Sequence, residues 1–234
     1  MQTAILCGGE GTRLREYTEA LPKPLIEIGG KPILWHIMKI YSHYGHNEFI
    51  LCLGYKGEMI RRYFTENNEE GWNITFAETG EKSNKAERLM QIKQHIKGDK
   101  FLLAYGDDVS DVNINEVIRL HEKNKKTVTL TAINPESQFG VLKLNGDHVE
   151  GFIEKPKLDT WINGGFFVID RRIFSQLKKG NELEDHTFKE LAKENEITAY
   201  RHKGFWKCMN VFKDVVELNE LWNKGKAPWK VWKD

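Results

Sequence analysis

Residues 3–14 read Thr3-Ala4-Ile5-Leu6-Cys7-Gly8-Gly9-Glu10-Gly11-Thr12-Arg13-Leu14, an apolar run of strand length closed by a pair of glycines. Residues 3–7 predict a buried β-strand. The glycine-rich turn after it lets backbone N–H groups approach a polyphosphate with no Cβ in the way. In an open α/β sheet such a turn lies at the carboxyl end of a strand, where ligands bind. The spacing is neither that of the P-loop nor that of the dinucleotide fingerprint, since Gly-Lys-Ser/Thr and Gly-x-Gly-x-x-Gly are both absent from it.

Outward from this turn, residues 49–53, 101–105 and 127–133 are further apolar or β-branched runs, and 74–77 reads as extended. Helical spacing fills the intervals at 32–45, 58–64, 88–96 and 114–124. The first of these opens at Pro32, aligns Ile33, Leu34, Ile37, Met38 and Tyr41 on one face, and closes at Gly45. Strand alternating with helix predicts an α/β fold, a mostly parallel sheet with helices on both faces. The rhythm then changes. Residues 140–144 and 148–154 flank Asn145-Gly146-Asp147 and predict a tight β-hairpin. Beyond it the pattern predicts a strand over 161–169, helices over 172–179 and 185–195, extended segments at 198–202 and 205–209, and a helix over 211–224 ending at Gly225. With no internal repeat or linker, residues 1–234 are expected to form one domain.

Composition narrows the function classes. The 234 residues carry 35 Lys and Arg against 34 Asp and Glu, a formal net charge of +1, which argues against broad attraction to nucleic acid or an anionic membrane. Hydrophobic residues at 40% and charged residues at 29% match an ordinary globular protein rather than a disordered one. Cys7, Cys52 and Cys208 are too few and too scattered for a disulfide framework or a zinc site. The first residues show no basic leader, and no window reaches the ~20 apolar residues of a membrane span. A cytoplasmic location is expected, with no membrane and no nucleic-acid partner.

Three constellations carry chemistry. Arg13 and Lys23 add two cations to the glycine-rich turn, Arg13 as a planar, permanently charged phosphate ligand. Tyr105-Gly106-Asp107-Asp108 ends a buried run, and a carboxylate fixed at a strand terminus suits Mg²⁺, which keeps several waters and bridges to phosphate. Asp108 or Asp111 equally suits capping of the next helix. Glu154-Lys155-Pro156 and Ile162-Asn163-Gly164-Gly165 together suit a polyhydroxylated phosphate, with Glu for hydroxyls, Lys for phosphate and glycines for close backbone contact. Taken singly, the last pair of segments reads as a surface ion pair and a bulge.

Together these segments resemble the sugar-phosphate nucleotidyltransferases, and more closely the glucose-1-phosphate cytidylyltransferases among them. The resemblance runs through GGEGTRL, KPLIEIGGKPILWHIMKIYSHYG, GYKGEMIRRYF, YGDDVSDVNI, FIEKP, INGGFFV and GKAPWKVW. It implies a Rossmann-like mixed sheet and the reaction of a nucleoside triphosphate with a sugar 1-phosphate to give a nucleotide-sugar and pyrophosphate, with Mg²⁺. CTP is the favoured donor and a hexose 1-phosphate the favoured acceptor, although the residues alone do not separate CTP from UTP or dTTP. By the same resemblance Leu6, Gly8, Gly9, Gly11, Thr12, Arg13, Ser83 and Arg88 bind the nucleotide. Glu154, Lys155, Asn163 and Gly164 bind the acceptor, Arg13, Lys23 and Asp107 carry the catalysis, and Asp107 with Asn210 holds the metal. A homo-oligomer is implied as well. The chemistry agrees, because the acceptor phosphate is already a nucleophile and the task is to bring two anions together.

Three departures bear on the substrate. Lys85-Ala86-Glu87-Arg88 stands where the cytidylyltransferases carry Thr-Gly-Gly-Arg, so Glu87 is expected to present a new carboxylate to the ligands. Residues 65–73 replace a longer segment used in subunit packing, which puts the family's larger assembly in question. Cys208-Met209-Asn210 replaces Pro-Met-Asp, so the second metal-binding aspartate is an asparagine. This leaves open weaker metal affinity, another phosphorylated acceptor, a catalytically silent binding module, or a neutral change compensated by the nucleotide's own phosphates.

Overall fold

Alternate residues of the central strands feed two apolar layers, which is what uninterrupted hydrophobic runs in a parallel sheet require. Ile5, Phe49, Leu51, Leu53, Leu102 and Ala104 enter one layer. Their neighbours Ala4, Ile50, Cys52, Phe101 and Leu103 enter the other. The computed structural model describes residues 1–11, 14 and 19–233. Thr12 and Arg13 lie outside these described residues.

The first half is built of β1 (Thr3–Leu6), a short antiparallel pair β2 (Glu27–Ile28) and β3 (Lys31–Pro32), α1 (Ile33–His43), β4 (Glu48–Leu53), α2 (Gly57–Glu66) and β5 (Asn73–Glu78). It continues through α3 (Lys85–Gln91), β6 (Lys100–Tyr105), β7 (Asp108–Ser110), α4 (Ile114–Asn124) and β8 (Val128–Ile133). The hairpin β9 (Val141–Asn145) and β10 (His148–Ile153) follows, then β11 (Ile162–Asn163), β12 (Phe167–Asp170), α5 (Ile173–Gln176) and α6 (Lys189–Lys193). β13 (Ile197–His202), β14 (Trp206–Cys208) and α7 (Phe212–Asn223) complete the described chain.

The main sheet has the strand order β11-β8-β12-β6-β1-β4-β5, with β13 on the other side of β8. β1 pairs in parallel with both β4 and β6, while β12 runs antiparallel between β6 and β8. The sheet is therefore mixed and mostly parallel, as its strand-helix alternation requires. α1 ends as expected at Gly45, whose φ of +84° and N–H bond to the Ser42 carbonyl at 2.8 Å close the helix.

Four predicted elements are redrawn. The strand expected over 161–169 is two, β11 and β12, because Gly165 at φ +73° and Phe166 at φ +47° turn the chain out of extended geometry between them. The helix expected over 88–96 starts earlier at Lys85, ends at Gln91 and is continued by a single 3₁₀ turn at Lys93–His95. The helix over 172–179 shrinks to α5. The one expected over 185–195 begins as a π-helical turn, Leu183–Phe188, before α6. The hairpin forms as read, with Asn145 opposite His148 and Gly146 at φ +58°.

Candidate active site

The carboxyl ends of β1 and β6 open onto a cavity of about 860 Å³, lined by the glycine-rich turn on one side and by Tyr105 to Asp108 on the other. Gly106 sits so close to β1 that a Cβ there would lie 2.9 Å from the Leu6 carbonyl oxygen, which explains the glycine between two cavity-lining residues. Leu6, Gly8, Gly9, Gly11, Ser83 and Arg88 line this cavity, as do Lys23, Asp107, Asn163 and Asn210. Gly11 takes a left-handed φ of +63°.

Lys23 reaches the cavity from a 3₁₀ turn, Lys23–Leu25, that follows Pro22 and is anchored by the buried side chains of Pro24 and Leu25. Its ammonium donates to Asp107 Oδ2 at 2.5 Å and to Asn210 Oδ1 at 3.2 Å. Antiparallel pairing of β14 with β7 sets this geometry. Cys208 lies opposite Asp108, and the Met209 N–H meets the Asp107 carbonyl at 2.9 Å. Asn210 is then pinned at the start of α7, where its N–H donates to Asp214 Oδ2 at 2.8 Å. The structure thus brings together three residues separated by up to 187 positions.

The donor chemistry here fits a hard divalent cation. Asp107 and Asn210 offer a carboxylate and a carbonyl oxygen, both suited to Mg²⁺. Oxygens of Asp107 and Asp108 and the Cys208 sulfur also lie within 4.8 Å of one another. Burial, reinforced by Asp108 and Asp107, pushes the Cys208 thiol well up, and a soft sulfur is in any case a poor match for a hard cation such as Mg²⁺. Burial, with Asp107 as the next cause, likewise raises the Asp108 carboxyl well above the usual carboxylate range. Asp108 is only 5% exposed. It does not cap α4: that position belongs to Asn113, whose side chain accepts from the Glu116 N–H, while Asp111 accepts from His202 Nε2 and from the Phe205 N–H.

Arg88 lines the cavity and also braces the loop from within. It is 4% exposed and donates to the carbonyls of Gly8 at 2.9 Å, Leu53 at 3.0 Å and Glu81 at 3.1 Å, and to Thr79 Oγ1 at 2.7 Å. A Cβ on Gly8 would lie 2.1 Å from its guanidinium, and one on Gly54 2.5 Å. The glycines here make room for an arginine beneath the loop. Glu87, expected to face the ligands, instead completes a capping box. Its N–H donates to Asn84 Oδ1 at 2.9 Å, and its carboxylate accepts from the Asn84 N–H at 3.2 Å. Ser83 lines the cavity and accepts from Gln91 Nε2 at 3.2 Å.

Among the residues expected to bind the acceptor, Asn163 donates to the Tyr105 hydroxyl at 3.0 Å, and that hydroxyl donates to Glu184 at 2.6 Å. Lys85 pairs with the same Glu184 at 2.5 Å and lies over the Tyr105 ring. Glu184 belongs to the π-helical turn and carries no local sequence signal for this role. Gly164 uses both backbone groups internally, its N–H on the Thr131 carbonyl and its carbonyl receiving Trp206 Nε1. Glu154 and Lys155 stand at the exit of the hairpin as an exposed pair 3.7 Å apart, outside the residues that line the cavity.

Comparison with known proteins adds the following. The Nucleotidyl transferase family matches residues 2–231. A Bacillus subtilis protein named "Probable glucose-1-phosphate cytidylyltransferase" is 45% identical over 254 aligned positions, which cover 99% of this chain and 100% of the relative. The Salmonella typhimurium "Glucose-1-phosphate cytidylyltransferase" is 43% identical over 256 positions, with 99% and 100% coverage. Both alignments exceed the 234 residues of this chain, so each relative carries residues that this chain lacks. Among solved structures, HddC from Yersinia pseudotuberculosis complexed with GMP-PN superimposes with a TM-score of 0.74 at 22% identity, covering 94% of this chain and 99% of that one. No helix among the described residues is long and apolar enough to cross a membrane.

Proposed function

The chain belongs to the nucleotidyl transferase family, and from that premise we propose that it transfers the cytidylyl group of CTP to a hexose 1-phosphate. The single observation that carries this reading is the Lys23 ammonium held between Asp107 and Asn210 on the floor of a cavity edged by the glycine-rich turn. An acceptor phosphate oxygen attacks the α-phosphorus of CTP. A new phosphorus–oxygen bond forms there as the bond to the bridging oxygen of the β-phosphate breaks, and pyrophosphate leaves with that electron pair.

No residue needs to remove a proton, because the acceptor phosphate is ionised at neutral pH. Repulsion between the two anions is the obstacle, and fixed positive charge where negative charge builds is the remedy. In this proposal Lys23 serves the α-phosphate and Arg13 the departing pyrophosphate. Leu6, Gly8, Gly9, Gly11, Thr12 and Ser83 cradle the nucleotide, and Arg88 stiffens that cradle from below. Asn163, with Glu154 and Lys155 at the hairpin exit, serves the acceptor. Asp107 and Asn210 would hold Mg²⁺, which when bound neutralises phosphate charge.

Residues 1–234 are proposed to act as one nucleotidyltransferase unit in the cytoplasm, a location consistent with three unpaired cysteines. We also propose self-association. Leu142, Leu144, Val149 and Phe152 share one face of the hairpin, each between 48% and 64% exposed, and an isolated two-stranded hairpin is marginal in water.

The test of the catalytic reading is pyrophosphate release from CTP and α-D-glucose 1-phosphate with Mg²⁺. Turnover supports it. Measurable CTP binding with no turnover on any phosphorylated acceptor would instead identify a silent binding module, a reading that Asn210 alone favours.

A further inference from the structure

The cavity floor carries one carboxyl group that the reaction above does not use. Asp108 is 5% exposed yet lines the cavity, and its Oδ1 has no hydrogen-bond partner among the described residues. A buried polar oxygen without a partner is costly, so a native protein that keeps one usually has a ligand or water for it.

Its direction distinguishes it from Asp107. Lys23 binds Asp107 and Asn210, and no hydrogen bond or ion pair joins it to Asp108. The other oxygen of Asp108 packs instead against the backbone of Gly165, where a Cβ would lie 3.2 Å from Oδ2 and equally close to the Tyr105 ring. Gly165 follows Asn163 and Gly164, and its N–H is held by Asn163 Oδ1 at 3.0 Å. Asp108 therefore faces the acceptor side of the floor, next to the Asn163–Tyr105–Glu184 chain of hydrogen bonds. The Lys23 ammonium draws the acceptor phosphate to its own side of the floor, and Asp108, which Lys23 does not reach, lies toward the opposite end of the acceptor.

We propose that Asp108 is a specificity-determining residue of the acceptor subsite, taking a hydrogen bond from a donor group, hydroxyl or ammonium, at the end of the acceptor remote from its phosphate. This rests on the proposed sugar-phosphate reading and deepens it. Acceptors lacking that donor leave the buried oxygen unmatched, whereas correct ones satisfy it.

The test is a cycle between protein and ligand, read by calorimetric binding rather than turnover. Wild type and Asp108→Asn are titrated with α-D-glucose 1-phosphate, its 2-, 3-, 4- and 6-deoxy analogues and glucosamine 1-phosphate, and separately with Mn²⁺ and with CTP. In the wild type one deoxy analogue should bind about 10-fold or more weakly than the parent. In Asp108→Asn that difference should shrink or shift, with Mn²⁺ and CTP binding unchanged. Tighter binding of glucosamine 1-phosphate by the wild type would identify the donor as an ammonium; parity or loss would identify a hydroxyl. Asp108→Ala provides a second variant with no polar atom left to satisfy, should the asparagine variant not fold. Equal binding of every deoxy analogue by the wild type overturns the proposal. So does loss of Mn²⁺ binding in Asp108→Asn, which would make the residue a metal ligand. Turnover with unaltered analogue selectivity would defeat this inference and leave the reaction standing. Asp108-dependent acceptor binding without turnover would do the reverse, and absence of any acceptor binding would defeat both.

Discussion

The Arg88 guanidinium donates to the Gly8 carbonyl at 2.9 Å across a sequence separation of 80 residues, fastening the glycine-rich turn to α3. The same side chain bonds the carbonyl of Leu53 at the end of β4 and the Thr79 hydroxyl just after β5, so three strand ends share one cation. Arg88→Met should cost about 3 kcal/mol, because it strands several buried acceptors at once. Arg88→Lys should recover little, since one ammonium cannot reproduce a planar fork. Chemical denaturation measures the first effect. CTP titration of the folded variant should show weakened binding through the loosened turn.

Lys23→Ala should lower turnover by about 10²–10³-fold while changing CTP affinity far less, because the cation matters most when charge peaks on the α-phosphate. Steady-state kinetics beside calorimetric CTP binding separates the two. An equal fall in both would make Lys23 a ground-state phosphate ligand only.

Asn210→Asp places a second carboxylate against the Lys23 ammonium and opposite Asp107. Added negative charge strengthens divalent-ion binding, so the half-saturating Mg²⁺ concentration should fall. Activity measured against Mg²⁺ for both proteins reads this directly, and an unchanged midpoint would place Asn210 away from the metal.

His36 predicts an acid-sensitive fold. It is fully buried, its Nε2 bonds the Ile28 carbonyl at 2.8 Å, and its Nδ1 accepts from Trp229 Nε1 at 3.4 Å. A proton on Nδ1 would face that indole N–H. Burial lowers the folded pKa from 6.5 to about 4. Above pH 6.5 both states are neutral and nothing changes. Between pH 6.5 and about 4 the unfolded chain takes up the proton first, so stability falls with pH, by about 3 kcal/mol in total from this group. His36→Gln should flatten that part of the stability profile in urea melts.

Self-association through the hairpin should be weakened by Leu144→Glu or Phe152→Glu, both on its apolar face. Sedimentation velocity should show a smaller species for either variant. Identical sedimentation would move the contact elsewhere.

Strand positions were legible because each apolar run in β1, β4 and β6 is buried on both faces, a condition visible in composition alone. The break between β11 and β12 was not, since residues 161–169 are rich in β-formers and only the positive φ of Gly165 and Phe166 divides them. Lys23, Asp107 and Asn210 could be grouped through family resemblance, and the structure brings them into contact. The bracing bonds of Arg88 carry no sequence signal, because its acceptors come from segments that only the folded sheet assembles. Glu184 was invisible for the same reason, reaching Tyr105 across 79 positions. The capping box at Asn84 and Glu87 was readable from its spacing, and that local signal explains why Glu87 does not face the cavity.

The most direct measurement of the central claim is a competition. CTP, UTP, dTTP and GTP at equal concentration are incubated with α-D-glucose 1-phosphate, Mg²⁺ and the protein, and the products are separated and weighed by mass spectrometry. The account requires the cytidine diphosphate sugar as the main product, with equimolar pyrophosphate, and its loss in Lys23→Ala. A different nucleotide-sugar as the main product, or none from any of the four triphosphates, would contradict it.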